Sequence, residues 1–176
     1  MIATNIAEAA VSMAEAQAYA RVETGEEEAL LAGLVRTASA LCESFTGQVL
    51  VARPFEEVLP SGGGWQRLGL TPVREIAEVA ALAADGSGTL LPAGEFEIDI
   101  DSRGDGWVRV TGGGDKKIRV RGKVGLAIEP NGVPEPLRQG ILRLTAHLFA
   151  TRDGGGGEPP AAVTALWRPY RRMRLS

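Results

Sequence analysis

The sequence predicts a mixed α+β fold in which helices towards the two ends of the chain flank an antiparallel β unit. Two stretches, 24–47 and 135–151, have apolar residues at steps of three and four, the period of an amphipathic helix. Between them, over about 48–128, apolar and charged residues alternate between Gly-rich turns, which is typical of β-strands. Each long helix has one apolar face, so the two helices are expected to cover each other.

The first long helix has a recognisable signal at each end. Thr24 and Glu27 form a capping box, and Gly47 stands where the left-handed residue that follows a helix is usually glycine. The residues of its predicted buried face are Leu30, Leu31, Leu34, Val35, Ala38, Leu41, Cys42 and Phe45.

Two further helices are predicted from similar signals. Ser12 and Glu15 form a second capping box, which predicts a short helix from Met13 to about Ala20. The second long helix is predicted from Glu135 to about Thr151, with a proline tolerated in its first turn. The residues of its predicted buried face are Leu137, Ile141, Leu144 and Leu148.

The β unit is predicted from alternating residues and turn signals. Gln48–Leu59 is expected to be extended, with Pro54 confining part of it to a sheet edge. Phe96–Ile100 alternates apolar with acidic residues and is predicted to be a half-buried strand. Two more strands are expected around residues 107–110 and 118–121. The residues alone leave Pro72–Ala84 open, since its apolar steps fit a helix about as well as a bulged strand, although the Asp-Gly turn that follows favours a hairpin.

Composition excludes several classes of protein. A chain of 176 residues with 44% hydrophobic residues is typical of a globular protein with its own core. Its net charge of −3 argues against a protein that coats nucleic acid through a broadly basic face. No apolar run approaches the roughly 20 residues of a membrane span, and no secretory signal is expected. Cys42 is the single cysteine, so no disulfide can form within the chain, and we expect it to be buried.

The residue pattern gives little support to catalysis or metal binding. His147 has no second histidine and no second cysteine to join it in a metal site, and the Gly-rich runs lack the Lys-Ser/Thr of a phosphate-binding loop. Asp99, Asp101 and Asp105 could supply oxygen ligands to calcium, but their spacing departs from that of the EF-hand loop. Asp99 and Asp101 are also the outward positions of the predicted strand. We therefore predict a protein that is not an enzyme and has neither a cofactor nor a metal.

The C-terminal residues differ in composition from the rest of the chain. Residues 153–160 have the composition of a Gly/Pro-rich linker, and the segment after them combines arginines with aromatic side chains. Such residues are enriched at protein interfaces. Contact with nucleic acid, contact with a membrane, docking to a protein and a merely solvated tail all stay open. The membrane is the least favoured, because the tail is short and anionic lipid would repel the acidic body.

The sequence resembles the head–tail connector, or adaptor, proteins of long-tailed phages, prophages and gene transfer agents. The resemblance lies in the order and spacing of several short motifs that cover nearly the whole chain. The main ones are S-M-A-E-A-Q-A-Y-A-R-V (Ser12–Val22), T-A-S-A-L-C-E-S-F-T-G-Q-V-L (Thr37–Leu50), T-P-V-R-E-I-A-E-V (Thr71–Val79), V-P-E-P-L-R-Q-G-I-L-R-L-T-A-H-L-F-A-T-R (Val133–Arg152) and P-P-A-A-V-T-A-L-W-R-P-Y-R-R-M-R-L (Pro159–Leu175).

The resemblance implies a fold and a domain organisation. The implied fold is a helical bundle of the connector type with a small antiparallel β insertion and an extended C-terminal tail. It favours a strand over Arg74–Leu82 within the segment that the residues leave open. One connector domain is expected over 1–152, followed by a flexible linker and docking tail over 153–176.

The resemblance also implies a structural function. Connector proteins form a ring, typically of twelve copies, beneath the portal protein of the capsid. The ring bridges the portal to a tail-side stopper or tail terminator protein and continues the DNA channel without sequence-specific binding. The expected location is the neck of a virion or gene transfer agent particle assembled in the bacterial cytoplasm, with no membrane contact.

The tail is the predicted portal-docking site. The residues expected to make the contact are Trp167, Arg168, Tyr170, Arg171, Arg172, Met173 and Arg174. The alternative from another class is a DNA-binding accessory protein that uses the same basic, aromatic tail, and its binding would weaken steeply with salt. A small metal-dependent enzyme built on the aspartates is the third hypothesis.

Overall fold

The computed structural model describes residues 2–3, 8–22, 27–111, 117–151 and 159–172. The chain divides into two compact units. A sheet unit consists of Met1–Asn5 and Ala52–Leu126, and a helical unit consists of Ile6–Val51 and Ala127–Ser176. The predicted mixed α+β class is confirmed.

The helical unit is built around one helix that contacts the other three. Its helices are α1 (Met13–Ala20), α2 (Glu28–Thr46), α3 (Glu135–Ala150) and α4 (Ala161–Trp167). Short 3-10 helices span Pro130–Gly132 and Arg168–Tyr170. α3 packs against α1, α2 and α4, so the two long helices cover each other as predicted. The buried residues at the centre of the unit include Leu31, Val35, Ala38, Leu137, Ile141, Leu144 and Val163.

The helix ends follow the sequence signals in two of three cases. At α1 the capping box is present, because the Glu15 N–H donates to Ser12 Oγ at 3.2 Å and the Ser12 N–H donates to Glu15 Oε2 at 2.8 Å. Gly47 ends α2 with a φ of +68°, a conformation that favours glycine. The predicted box at the start of α2 is wrong, since Glu27 takes the cap position itself, and Thr24 lies outside the described residues.

Arg138 of α3 ties the start of α1 into the helical unit. Its Nε donates to the Ala10 carbonyl at 3.2 Å, and its guanidinium forms an ion pair with Glu15. The pKa of Glu15 lies below its ordinary value, chiefly because the Ser12 N–H donates to the carboxylate, with Ser12 Oγ and Arg138 adding to the effect. One carboxylate therefore caps α1 and links it to α3.

The sheet unit contains two antiparallel sheets. Its strands are β1 (Ile2–Ala3), β2 (Arg53–Pro60), β3 (Gln66–Arg67), β4 (Val73–Leu82), β5 (Gly88–Leu90), β6 (Phe96–Ile100), β7 (Gly106–Val110) and β8 (Lys117–Val124). The five-stranded sheet has the order β1-β2-β8-β4-β5, and the three-stranded sheet has the order β3-β7-β6. Residues 74–82 are thus strand, and the β part is larger than the small insertion expected from the sequence.

The two faces of the five-stranded sheet differ in chemistry. On one face the side chains of Phe55, Val79 and Val120 are buried. On the other, arginines and lysines of β8 pair with glutamates of the strands on either side, as in the contact of Arg121 with Glu56 at 2.7 Å. β8 therefore joins its neighbours through apolar packing on one face and cross-strand ion pairs on the other.

Two predictions of burial are wrong. β6 is a strand as predicted but is not half-buried, since Ile98 is 44% exposed and Ile100 is 38% exposed. β6 is the last strand of its sheet, and among the described strands it pairs with β7 alone, although it also lies close to β4. On α2, Leu30 is 43% exposed and Leu41 is 41% exposed, because these leucines point about 120° away from the centre of the buried face.

Gly122 of β8 is expected to be intolerant of any side chain. A Cβ there would lie 2.0 Å from the Glu75 carbonyl oxygen of β4, so the two strands would have to separate. We expect Gly122→Ala to lower the free energy of unfolding by about 1–3 kcal/mol, the usual cost of overpacking, in a denaturant titration. Gly63→Ala is the matched control, because no atom lies within 4 Å of its added Cβ and its change should stay within about 0.5 kcal/mol. Equal stability of the two variants would contradict the close strand approach.

Candidate docking surface

The C-terminal segment, residues 159–172, is helical rather than extended. α4 begins after Pro160, and Val163 and Trp167, four residues apart, are the buried residues of α4. The sequence prediction of an extended tail is therefore wrong, because this short apolar period gives the segment a face that packs on α3. A merely solvated tail is likewise wrong for these residues.

Trp167 fits into a socket on α3. It is 1% exposed, and its Nε1 donates to the Leu137 carbonyl at 3.3 Å. The ring lies against Gly140, where an added Cβ would come within 2.0 Å of Nε1. Phe45 of α2 completes the socket, with ring centroids 5.9 Å apart and a tilt of 54°. Because it is buried, Trp167 anchors the segment and is not an accessible docking residue.

The residues after Trp167 are held at the C-terminal end of α2. Gln48 Nε2 donates to the Tyr170 carbonyl at 2.6 Å, and the Arg172 N–H donates to the Thr46 carbonyl at 2.8 Å. The second bond satisfies one of the carbonyls that a helix end leaves unpaired. The Arg171 guanidinium lies 5.6 Å from the centre of the Phe45 ring, within the range of a cation–π contact.

The side chains that remain accessible form a positively charged surface, which we call the arginine face. Its members are Arg168 and Arg171, which are exposed, and Tyr170 and Arg172, which are half-buried. The C-terminal end of α2 carries the negative end of the helix dipole, which favours the nearby arginines. Met173 and Arg174 complete the predicted docking set and lie outside the described residues.

Sequence reasoning missed the residues that hold this segment. Gly140 lies in the interior of α3, where glycine disfavours the helix by about 1 kcal/mol relative to alanine, so a close packing contact is one reason for a glycine at this position. That position, together with the spacing of Val163 and Trp167, is the signal that could have revealed the socket. The contributions of Gln48 and the Leu137 carbonyl have no local signal, because they depend on packing between distant parts of the chain.

Two of the three aspartates that could have held a metal accept hydrogen bonds from protein donors. Asp101 Oδ1 accepts the N–H groups of Asp105 at 3.0 Å and Arg103 at 2.8 Å, which lowers the pKa of Asp101 below its ordinary value. Asp105 is buried and binds Arg67 at 2.8 Å and Thr71 at 3.0 Å. These two carboxylates build the turn between β6 and β7. In the part of the chain that the structure describes, no group of three or more His, Cys, Asp or Glu residues could hold a metal ion.

The two other candidate residues for chemistry lie on the packed helices. His147 of α3 is half-buried, and no described residue bonds to its Nε2. Cys42 of α2 is fully buried, and burial raises the pKa of its thiol well above the ordinary value, with the neighbouring Glu43 adding to the effect. Within the described ranges, no helix has both the length and the apolar character needed to cross a bilayer.

Three solved structures share this fold along the whole chain. A chain from the neck of an empty gene transfer agent particle, computed with sixfold (C6) symmetry, has a TM-score of 0.79 and 24% identity. A chain from the virion of a native gene transfer agent particle has a TM-score of 0.77 and 23% identity, and one from the neck of a native particle, computed with C12 symmetry, has 0.77 and 22%. Each alignment covers 100% of this chain and 97% of the other. These similarities establish the fold; neither a protein-family model nor a curated protein sequence matches the chain.

Because Trp167 packs directly against Gly140, we expect the addition of a single methyl group at Gly140 to have a large effect on stability. Gly140→Ala is expected to push Trp167 out of its site and lower the free energy of unfolding by about 1–3 kcal/mol, measured by denaturant titration. Gly33→Ala on α2 is the matched helical control. Its added Cβ meets nothing closer than 4.0 Å, so it should raise stability by up to about 1 kcal/mol. Changes of the same sign in both variants would contradict the socket.

The burial of Cys42 predicts a protected thiol. We expect alkylation of the folded protein to be roughly a thousandfold slower than alkylation in denaturant, because reaction requires an unfolded fraction of about 10⁻³ or less. Mass spectrometry after timed quenching measures both rates. Rapid labelling of the folded protein would show that α2 is not packed as described.

Proposed function

We propose that this protein is a structural ring component of the head–tail neck of a gene transfer agent or phage particle. The observation that carries the proposal is the likeness of the complete chain, at a TM-score of 0.79, to a chain from the neck of a gene transfer agent particle. The motif order along the sequence points independently in the same direction.

In this proposal the partners are further copies of the chain, the portal protein and a tail-side stopper or tail terminator protein. The neck structures that share the fold were computed with C6 and C12 symmetry, which supports a ring, and we propose a dodecamer. The ring continues the DNA channel between portal and tail. A net charge of −3 suits a channel of this kind, because carboxylates repel phosphate and let the duplex pass without sticking.

The arginine face is the proposed portal contact. Arg168 and Arg171 are exposed, and Trp167 fixes the segment from which they project. Arginine and tyrosine are the residue types most often found at binding hot spots, and a preformed surface loses less conformational entropy on docking. Met173 and Arg174 follow this surface in the sequence and belong to the same proposed contact. Ring symmetry repeats the contact many times, so modest single contacts sum to stable attachment.

The decisive experiment measures the mass of the purified protein, alone and mixed with its cognate portal ring, with negative-stain images of both samples. A ring, formed alone or on the portal, is the expected result. A monomer that ignores the portal refutes the proposal. If that monomer instead binds DNA with a steep salt dependence, the DNA-binding accessory role takes its place.

The arginine face is tested by removing its charges without touching the anchor. Arg168→Ala combined with Arg171→Ala should weaken binding to the portal more than about tenfold, since hot-spot arginines contribute more than about 1 kcal/mol each. The double variant Lys117→Ala with Arg143→Ala, which removes two exposed charges elsewhere, should bind as the parent does. Trp167→Ala is unsuitable, because loss of a buried aromatic side chain would destabilise the helical unit by about 3–5 kcal/mol. Unchanged binding of the first double variant would eliminate the arginine face as the contact.

A further inference from the structure

Two surfaces each expose two large apolar side chains that their sequence patterns predict to be buried. The first is the β6 edge, defined as the exposed residues Glu97, Ile98, Asp99 and Ile100 of β6, in which the isoleucines and the acidic residues alternate between the two faces of the strand. Ile98 pairs with Val108 of β7, and Phe96 pairs with Val110, so these apolar side chains extend a row whose β7 members are buried. The apolar face of the three-stranded sheet therefore continues beyond what the described residues cover.

The β6 edge lacks several of the features that protect a sheet edge, although Glu97 and Asp99 give it charge. Native edge strands are commonly blunted by charged side chains, especially lysine, by proline or by a bulge. β6 contains neither lysine nor proline, and its pairing with β7 runs without a shift over all five residues. An open, regular strand with isoleucine on one face is a surface that another chain can cover.

The second surface is the α2 outer face, defined as the exposed residues Ala29, Leu30, Arg36, Thr37, Ala40, Leu41 and Ser44. Surface helices usually present charged side chains to solvent. α2 lies entirely within the described residues, and beyond its first turn its one exposed charged residue is Arg36. The small residues between Leu30 and Leu41 leave room for close approach of a partner.

We propose that the β6 edge of one copy packs on the α2 outer face of the next copy in the ring. This inference rests on the proposed function and names the subunit contact that the ring would use. Leu30 and Leu41 lie about 16 Å apart along α2, and β6 spans about 13 Å, so the two apolar surfaces have similar lengths. Burial of these side chains supplies the apolar core that a stable interface needs.

Charge complementarity identifies a second copy as the occupant. The β6 edge is acidic and the α2 outer face carries a single positive charge. Glu97 is paired with Arg109 within the sheet, which leaves Asp99 as the acidic group available to a neighbour. Among the described residues neither Asp99 nor Arg36 has an ion-pair partner. Each chain thus carries both an acidic group and a basic group that can pair between two copies.

The geometry of this contact is head-to-tail. Because the two surfaces consist of different residues, a contact between one surface of a copy and the other surface of the next copy is heterologous. Such a heterologous contact closes into a ring when its rotation divides a full turn. A two-fold dimer can make the same contact reciprocally, so the number of copies in the assembly distinguishes a dimer from a ring.

Reversal of the charges tests the contact directly. Arg36→Glu alone and Asp99→Arg alone should each raise the concentration needed for ring assembly at least about tenfold, measured by analytical ultracentrifugation, or by ring occupancy on the portal if assembly requires it. The combined variant should recover most of the loss, since the opposite charges meet again with their positions exchanged. Failure of the combined variant to recover would overturn the pairing of these two surfaces.

Apolar substitutions test the same contact without the ion pair. Leu41→Glu and Ile98→Glu should each weaken assembly by at least about tenfold, which corresponds to about 1.4 kcal/mol. Ile128→Glu is the matched control, because Ile128 is also exposed but lies on neither surface. Thermal unfolding of each variant shows that the fold is kept. Assembly of Leu41→Glu and Ile98→Glu equal to that of the control would overturn the inference.

These outcomes are distinct from failure of the proposed function. If the parent protein forms no ring either alone or on the portal, the ring function and this contact fall together. If the parent forms a ring and the substituted proteins assemble equally well, the ring stands and this contact alone is wrong. Assembly into a two-fold dimer in which either surface pairs with the same surface of the other copy would also overturn the contact.

Discussion

The helical unit depends on close packing against α3 at Gly140. The absence of a side chain there lets the Trp167 ring lie against the helix and donate to the Leu137 carbonyl. α4 is only seven residues long, too short to be stable without tertiary contacts. The packing of one ring therefore decides whether the segment after it is ordered. The bonds that Gln48 and Arg172 make at the end of α2 then depend on Trp167, because they hold residues that directly follow it.

Short-range sequence signals predicted those structural elements whose formation depends on neighbouring residues. The Ser12–Glu15 capping box and the glycine at position 47 set the ends of α1 and α2, because a cap needs only residues within one turn. The strands β6, β7 and β8 followed from alternation in the same way. Residues 72–84 could not be decided locally, since their choice of strand depends on pairing with β8, which lies about forty residues further along the chain. The pairing of Ile2 with Glu57 was missed for the same reason.

The sequence predicted which residue types the candidate docking surface contains, but not how these residues are arranged. Arginine and aromatic residues near the C-terminus indicated an interface, yet composition does not distinguish the residue that anchors from the residues that project. Trp167 has the largest side chain of the segment. Its exposure to water would cost more free energy than that of any other side chain there, so it is buried within its own chain. The arginines remain outside because burial of an unpaired charge is far costlier. The free energy of burying each side chain, rather than its position in the sequence, determines whether it anchors the segment or stays on the surface.

The failed burial predictions on α2 and β6 share one physical origin. A hydrophobic stripe can be covered by the same chain or by another copy. Leu30 and Leu31 belong to the same predicted stripe but point about 100° apart around α2, and Leu31 is buried within this chain whereas Leu30 is exposed. A stripe wider than its own fold covers is consistent with the proposed contact between copies. The residues that were predicted to be buried but are exposed are the ones on which that proposal depends.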